Sequence, residues 1–232
     1  MIYAQTISPD LRCLWLSAEG STQAGSGSLG TVTTPGSWDE TYAGDAPPPW
    51  DTGRPQPVFA RLAERGLLAG QVLDSGCGTG ENTMLAAAHG ATATGIDLSA
   101  HAIARAQAKA AERGLTARFE TGDVLRLGDL GLTAEVIIDS GVFHVFDDEA
   151  RVRYVTSLAS VLAPGGHCYL ICFSDRQPGE YGPRRVSQDE LRAAFRDGWS
   201  VDSIEAEAFE LNQAIFGITS AQAWRAVIQR LG

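Results

Sequence analysis

The stretch VLDSGCGTGEN, residues 72–82, decides the fold class of this chain. A short apolar run ends at Asp74, and glycines follow at positions 76, 78 and 80. The next segment starts like a helix. Closely spaced glycines between a strand and a helix let the backbone approach a bound ligand. The stretch therefore predicts a ligand-binding turn in an α/β fold.

The spacing of these glycines argues against a phosphate-bearing ligand. A dinucleotide-binding turn needs its third glycine one position later, where Glu81 stands, and a phosphate-binding P-loop needs a lysine that is absent here. An acid in the first turn of a helix also disfavours a pyrophosphate at that helix end. Asp74, just ahead of the turn, would suit an ammonium group instead.

Strands and helices are predicted to alternate from residue 57 onward. Residues 57–68, 81–90, 99–114 and 148–163 show helical spacing, and Ser187 with Glu190 predicts a capping box for a later helix. Apolar runs at 71–75, 92–97, 116–123, 134–141 and 167–174 are interpreted as strands, as are 199–211 and 221–231. Such alternation predicts a doubly wound, mostly parallel sheet with helices on both faces.

Composition limits the possible partners. The 232 residues include 18 basic and 28 acidic side chains, a formal charge of −10, and only one lysine, Lys109. Proteins that bind nucleic acid usually carry a basic patch, so we expect no nucleic-acid partner. The four cysteines form no CxxC pair, and we expect no metal site. No apolar run approaches a membrane span, so the chain is expected to be cytoplasmic without a membrane partner.

The amino-terminal fifth of the chain divides into two parts. Residues 1–36 are rich in Gly, Ser and Thr from residue 17 on, which predicts a flexible, disordered leader. Residues 37–56 combine Trp38, Tyr42 and Trp50 with several prolines, a composition too irregular for a strand and too aromatic for a linker. We expect these rings to cover something in the remaining domain, residues 57–232.

A ligand with an ammonium, a carboxylate and a ribose but no phosphate is S-adenosylmethionine (SAM). VLDSGCGTG resembles the glycine-rich motif of class I SAM-dependent methyltransferases, and GIDLS, TGDV, IIDSGVFHVF and LAPGGHCYLICF resemble later motifs of the family in the same order. The resemblance covers residues 57–230 and implies a seven-stranded, Rossmann-like methyltransferase sheet. It implies that Asp97 binds the ribose, that Asp123 contacts the adenine amino group, and that Val124 lies against the ring.

The segment WDETYAGDAPPPWDTGRPQP resembles the thiopurine methyltransferase branch and its halide, thiol and tellurite relatives. In that branch an aromatic N-terminal lid crosses the cofactor, and an aromatic face can stabilise a cation. The whole chain is also similar to actinobacterial methyltransferases that act on heterocyclic nitrogens. The cofactor-binding residues implied are Trp38, Trp50, Asp74, Gly76, Gly78, Thr79, Asp97, Leu98, Asp123, Val124, Asp139 and Ser140.

The resemblance also implies where the methyl acceptor would bind. His144, five residues after Asp139, is the candidate general base; the alternative is a half-buried histidine that contacts backbone or cofactor. Aromatic side chains suit a flat heterocycle. The substrate-binding candidates are Tyr42, Phe143, Phe173 and Tyr181.

The expected activity is methyl transfer from SAM to nitrogen, sulfur or oxygen of a small aromatic or heterocyclic molecule by in-line displacement. A halide, thiol or tellurite methyltransferase of the same branch is one alternative, and a SAM-binding protein without activity is another. A nicotinamide dehydrogenase is disfavoured by the misplaced third glycine. We expect a monomer or a weak homodimer.

Overall fold

The computed structural model describes residues 35–44, 46–179, 182–213 and 217–232. Most of the predicted leader, and the substrate candidate Tyr181, lie outside these ranges. The described residues form a seven-stranded sheet in the order β3-β2-β1-β4-β5-β7-β6. Its strands are β1 (Gln71–Ser75), β2 (Thr92–Asp97), β3 (Arg118–Thr121), β4 (Ala134–Ser140), β5 (Leu162–Phe173), β6 (Trp199–Glu210) and β7 (Ser220–Arg230).

Helices connect the strands and lie on both sides of the sheet. Ser99 caps the helix predicted over residues 99–114 by accepting a bond from the Ala102 amide, and Ser187 forms the predicted capping box with Glu190. The α-helices are α1 (Pro35–Ala43), α2 (Pro57–Glu64), α3 (Glu81–Ala88), α4 (Ala100–Glu112), α5 (Asp148–Val161) and α6 (Gln188–Ala194). Two 3₁₀ helices, η1 (Val124–Leu130) and η2 (Phe143–Val145), flank β4.

The strand pairing fixes where a ligand can enter. β1 to β5 run parallel, and the order reverses between β1 and β4. β7 is antiparallel to both β5 and β6, so β6 again runs in the direction of the other strands. In open α/β sheets the crevice lies at the carboxyl ends of the strands where the order reverses. The predicted doubly wound fold is confirmed.

Strand β5 divides the apolar core into two layers. Cys168, Leu170 and Cys172 contribute to the cluster beneath α5, whereas Tyr169, Ile171 and Phe173 contribute to the cluster beneath α2 and α3. Successive side chains on a strand point to opposite faces, and a central parallel strand is buried on both. This explains the near-continuous apolar sequence of β5.

Three local predictions differ from the structure. Residues 35–43 form a helix, because the prolines that disrupt regular structure come only after Ala43. Neither 3₁₀ helix was expected. Helix α5 ends at Val161, and strand β5 begins at Leu162, ahead of Pro164. The Pro-Gly-Gly sequence therefore lies inside the strand, where the register with β4 shifts between Ala134 and Val136.

Candidate active site

A cavity of about 380 Å³ opens at the carboxyl edge of the sheet, at the point where the strand order reverses. This volume lies within the range of small-molecule sites. One end is formed by the glycine loop, residues 76–80, and by the residues that follow β2, β3 and β4. The other end contains side chains from η2, β5 and β6. The first is called the loop end below, and the second the aromatic end.

The glycines of the loop serve different purposes. Gly78 has φ of 52° and lines the cavity, and its amide donates to Oδ2 of Asp97 over 2.8 Å. Gly80 has φ of 85°, and a Cβ added there would lie 2.6 Å from the Phe119 ring. Gly80 is thus required by packing beneath the loop. Gly78, by contrast, exposes its backbone to the cavity, where a ligand would bind.

Asp97 ends β2 and lines the cavity between the glycine loop and α4. Its Oδ1 accepts from the Ser99 amide over 2.9 Å, and burial raises the pKa of the carboxyl despite these bonds. A carboxylate oxygen can accept more than one bond, so both oxygens keep capacity for hydroxyl donors. Such an arrangement suits a pair of neighbouring hydroxyl groups.

The residues after β3 and β4 complete the loop end. Asp123 caps η1 by accepting from the Leu125 amide over 2.9 Å, and Val124 is half-buried beside it. Ser140, Thr79 and Leu98 also line the cavity. An acid next to an apolar side chain can bind the edge of a flat base while contacting its face.

Two carboxylates expected to bind the cofactor do not line the cavity. Asp74 is completely buried; its Oδ2 accepts from Thr83, and its Oδ1 has no hydrogen-bond partner within the described ranges. Asp139 is also completely buried and accepts from the Val142 amide and the Tyr154 hydroxyl. Burial raises the pKa of each to about 7. Asp139 therefore shapes the turn that carries η2, and we no longer count it as a direct cofactor ligand.

Glu81, the acid in the first turn of α3, is paired with two basic side chains. Lys109 of α4 and Arg113, which directly follows the helix, bind its carboxylate, with N–O distances of 3.0 and 2.7 Å. Lys109 also donates to Thr79 Oγ1 over 2.7 Å. The one lysine of the chain thus compensates an acid at the glycine loop, so repulsion of phosphate by Glu81 is weaker than the sequence suggested.

The aromatic side chains of the N-terminal segment pack on one another over the loop end. Trp50 contacts the Trp38 ring edge to face with centroids 5.6 Å apart, and its Nε1 donates to the Tyr42 hydroxyl over 2.7 Å. All three side chains line the cavity. A Cβ added at Gly78 would lie 2.9 Å from the Tyr42 hydroxyl, which places this ring at the glycine loop.

Two aspartates attach this segment to the domain. Asp39 accepts from Ser99 Oγ over 2.7 Å and from both the amide and Nδ1 of His101. These bonds lower the pKa of Asp39 to about 2. Asp51 accepts from Thr79 Oγ1 over 2.7 Å, on the other side of the rings. The segment is thereby attached to the start of α4 and to the glycine loop.

The aromatic end is formed by side chains from distant parts of the chain. Phe173 ends β5, and Phe209 lies near the end of β6; their ring centroids are 5.4 Å apart. The His144 ring lies 5.0 Å from Phe173 and 6.0 Å from Phe209. Pro183 and Leu211 complete this apolar wall. The surface suits a flat, weakly polar ring system.

Phe143 is not part of this wall. Its side chain is completely buried, stacks on Phe195 with centroids 5.8 Å apart, and does not line the cavity. Adjacent residues of the short η2 turn point in different directions, so His144 faces the cavity while Phe143 enters the core. We therefore remove Phe143 from the substrate-binding set.

His144 does line the cavity, but its ring is not arranged as a base. The amide of Phe173 donates to Nδ1 over 2.9 Å, which occupies the lone pair of that nitrogen. Burial, reinforced by Arg151 and Arg185, lowers the pKa of the ring to about 3. A neutral imidazole with an occupied Nδ1 has its proton on Nε2 and cannot take another from a ligand there. In this geometry the ring offers the N–H of Nε2, and not a lone pair, to a ligand.

Within the described ranges, no cluster of three or more His, Cys, Asp or Glu side chains could hold a metal ion. No helix in that part of the chain is both long and apolar enough to cross a membrane.

Comparison with known proteins decides the family. A family model described as a methyltransferase domain matches residues 72–166. A 2-heptyl-1-hydroxyquinolin-4(1H)-one methyltransferase from Mycobacteroides abscessus is 37% identical over 176 residues, which cover 72% of this chain and 78% of the relative. The chain belongs to the SAM-dependent methyltransferases.

Two further relatives support this assignment. A probable thiol methyltransferase 2 from Arabidopsis thaliana is 29% identical over 67% of this methyltransferase and 69% of the relative. A structure solved in work on the conversion of a disulfide bond into a thioacetal group during echinomycin biosynthesis is 33% identical, with a TM-score of 0.77, and covers 85% of this chain and 93% of the other. TehB from Haemophilus influenzae, at 17% identity and a TM-score of 0.61, shares the fold.

The loop end of this methyltransferase fits its family's cofactor. SAM carries two positive groups. Apart from Glu81, whose charge Lys109 and Arg113 compensate, the acidic side chains that line the cavity are Asp51, Asp97, Asp123 and Asp147, against Arg54 and Arg153. A surplus of carboxylates favours a cationic ligand. In its ionised form, Asp74, buried next to the glycine loop, adds to that field.

Phe209 and Leu211 were missed by sequence reasoning. The sequence predicts a strand over residues 199–211, but it does not predict the direction of that strand in the sheet. Two successive antiparallel pairings, β5 with β7 and β7 with β6, return β6 to the direction of β5. The carboxyl end of β6 therefore reaches the active-site edge, and an aromatic residue near the end of that predicted strand was the available signal.

Proposed function

We propose that this methyltransferase transfers the methyl group of SAM to a small heteroaromatic molecule that lies against Phe173, Phe209 and His144. The observation that carries the proposal is the continuity of one cavity between an acidic loop end and an aromatic end with little charge. The relative from Mycobacteroides abscessus, named for a hydroxyquinolinone, supports a flat, oxygen-bearing heterocycle as acceptor.

The loop end would hold the cofactor. Asp97 would accept from the ribose hydroxyls, Asp123 and Val124 would bind the adenine, and the backbone at Gly76, Gly78 and Thr79 would face the amino-acid part. When bound, SAM supplies a methyl group on a positively charged sulfur, which a nucleophile can take by direct displacement. Trp38 and Trp50 would present aromatic surface near that charge.

The protein's own contribution is alignment and exclusion of water. The rings of Phe173 and Phe209 would orient the acceptor, and residues 37–56 would close the cavity above it. Because the His144 ring is not arranged to accept a proton, the proposed acceptor is one whose nucleophilic atom is already unprotonated when it binds. Hydroxylated heterocycles that ionise near neutral pH satisfy this condition.

The attachment of residues 37–56 supports their role as a lid. Asp39 and Asp51 connect the segment to the cofactor side, and Gln56 exchanges hydrogen bonds with the backbone of Glu210 at the end of β6. The same segment thus touches the elements that form both ends of the cavity. Its closure would couple cofactor binding to completion of the acceptor site.

Thiol methylation is the second candidate. It is favoured by the plant relative and by the aromatic end, since a thiolate is a soft nucleophile that needs little hydrogen bonding. We further propose that the protein works as a monomer or weak homodimer without nucleic acid. The formal charge of −10 supports the second part.

The test is a product screen with methyl-labelled SAM. The full chain is incubated with 1-hydroxyquinolin-4(1H)-ones, unsubstituted flat heterocycles, aryl thiols and iodide, and products are identified by mass spectrometry. Methylated hydroxyquinolinone as the preferred product is expected. Turnover of thiols or iodide without any heterocycle product would favour the second candidate and overturn the first.

A further inference from the structure

The hydrogen bond at Nδ1 determines the protonation pattern of His144. An amide nitrogen can only donate, so the bond from Phe173 requires an unprotonated Nδ1. The single proton of the neutral ring must then be on Nε2. The ring is 5% exposed, and this pattern is set by backbone rather than by another titratable side chain.

The surroundings keep the ring neutral. The charged groups that act on it are Arg151, from α5, and Arg185, from the loop after β5, and both oppose a positive charge on the imidazole. Strands β5 and β6 contribute the uncharged rings of Phe173 and Phe209. Protonation of His144 is therefore disfavoured throughout the neutral pH range.

Nε2 is the nitrogen that remains for a ligand. No hydrogen-bond partner for it occurs within the described residues, and it is not among their fully buried polar atoms that lack a partner. A Cβ added at Gly141 would lie 3.1 Å from Nε2, and Gly141 itself lines the cavity. Gly141 has φ of 83°, which favours glycine, and a side chain at this position would crowd the N–H group.

We propose that His144 is a positioning residue whose Nε2–H donates to an oxygen of the acceptor, and that it selects heteroaromatic molecules carrying a carbonyl or ionised hydroxyl oxygen. The inference rests on the proposed function and names its substrate class. The acceptor gives its proton to water before binding, so the protein moves no proton during the reaction. A donor fixed by backbone rejects acceptors that lack such an oxygen, because its N–H would then be buried without a partner.

Two substitutions separate a donor from a base. In His144→Gln, the side-chain carbonyl can accept from the Phe173 amide while the NH₂ group donates to the acceptor. In His144→Phe, the ring fills the same space but neither donates nor accepts. We expect His144→Phe to weaken binding of a 1-hydroxyquinolin-4(1H)-one roughly 10- to 100-fold, the range for a hydrogen bond to a charged group, and His144→Gln to restore most of it.

Binding is measured by calorimetry in the presence of S-adenosylhomocysteine, so the readout does not depend on turnover. The affinity for S-adenosylhomocysteine itself should be the same in both variants, and His89→Gln, at an exposed histidine outside the cavity, is the matched control. Equal loss of binding in both His144 variants would overturn the donor role. Binding that follows this pattern without methylated product would instead count against the proposed function.

The pH dependence gives a second, independent test. With a set of hydroxylated heterocycles of different acidity, we expect the inflection in kcat/KM to follow the pKa of each acceptor, in both the wild type and His144→Gln. An inflection at one pH for all acceptors that disappears in His144→Gln would assign the proton transfer to the histidine and overturn the inference.

Discussion

At the loop end of the cavity, Asp97 bonds to Gly78, only 19 residues away in sequence, and both belong to recognisable motifs. At the aromatic end, by contrast, His144, Phe173 and Phe209 come from three elements separated by 29 to 65 positions. The loop end carries charge and hydrogen bonds, whereas the aromatic end carries apolar surface with one polar ring. This difference suggests that one end binds a constant cofactor and the other can vary with the acceptor.

The strongest test of this division removes the carboxylate of Asp97. We expect Asp97→Ala to weaken SAM binding on the order of 100-fold, since hydrogen bonds to a charged group are lost and the Gly78 amide is left without its partner. Calorimetry with SAM measures the effect. Asp202→Ala, at an exposed carboxylate on β6, is the control; unchanged SAM affinity in Asp97→Ala would refute the assignment of the loop end.

A smaller change is expected at the other end. Phe209→Leu should raise KM for a heteroaromatic acceptor roughly 3- to 10-fold, because aromatic contacts contribute beyond the area they bury. SAM affinity should not change. Phe195→Leu is the matched control, since this ring is equally buried but lies outside the cavity. If Phe209→Leu weakened SAM and acceptor alike, the two ends could not be treated as separate sites.

A substitution of Asp74 tests whether a buried charge next to the glycine loop lowers the stability of the folded protein. Its folded pKa of about 7 lies above the unfolded value of 3.8, so the folded protein binds more protons between these limits. The corresponding stabilisation is complete below about pH 3.8 and is lost as pH rises through 7. Asp74→Asn should therefore raise the melting temperature of the cofactor-free protein at pH 8, with a smaller gain at pH 5.

SAM binding by the same variant completes that test. We expect Asp74→Asn to bind SAM a few-fold more weakly at pH 8, because the negative charge next to the glycine loop is removed. Thermal melts at both pH values with and without SAM measure both quantities. An equal melting shift at pH 5 and pH 8 would show that ionisation of Asp74 is not the cause.

The smallest effect concerns attachment of the N-terminal segment. The folded pKa of Asp39, about 2, lies below its unfolded value of 3.8, so its bonds stabilise the docked helix α1 above about pH 3.8 and are lost as pH falls through 2. Asp39→Asn should increase amide hydrogen exchange in residues 35–43 at pH 7. Glu40→Gln, an exposed neighbour on the same helix, is the control. Unaltered exchange would mean that Asp51 suffices to hold the segment.

The fold could be predicted closely because its signals are local. Alternating strands and helices, the caps at Ser99 and Ser187, and the uninterrupted apolar run of β5 each depend on a few neighbouring residues. Helix α1 and the two 3₁₀ helices were missed because their sequences contain no strong period. The early start of β5 was missed because proline and glycines usually end a strand rather than lie within it.

The residues of the candidate site could be predicted less completely than the strands and helices of the fold. Of the expected residues, Trp38, Trp50, Gly78, Asp97, Asp123 and His144 meet in one cavity. Asp139 and Phe143 belong to the same motif as Ser140 and His144, but their side chains enter the interior: Asp139 lies within β4, and Phe143 begins the short 3₁₀ turn η2.

The amino-acid sequence by itself determined the fold class, the glycine loop and the acids that follow β2 and β3, because each depends on spacing within one strand–turn–helix unit. Only the tertiary structure decided that β6 delivers Phe209 to the site and that Asp139 supports a turn instead of a ligand. It also decided that His144 presents a proton rather than a lone pair, because the Phe173 amide comes from a strand that the histidine meets only in the folded sheet.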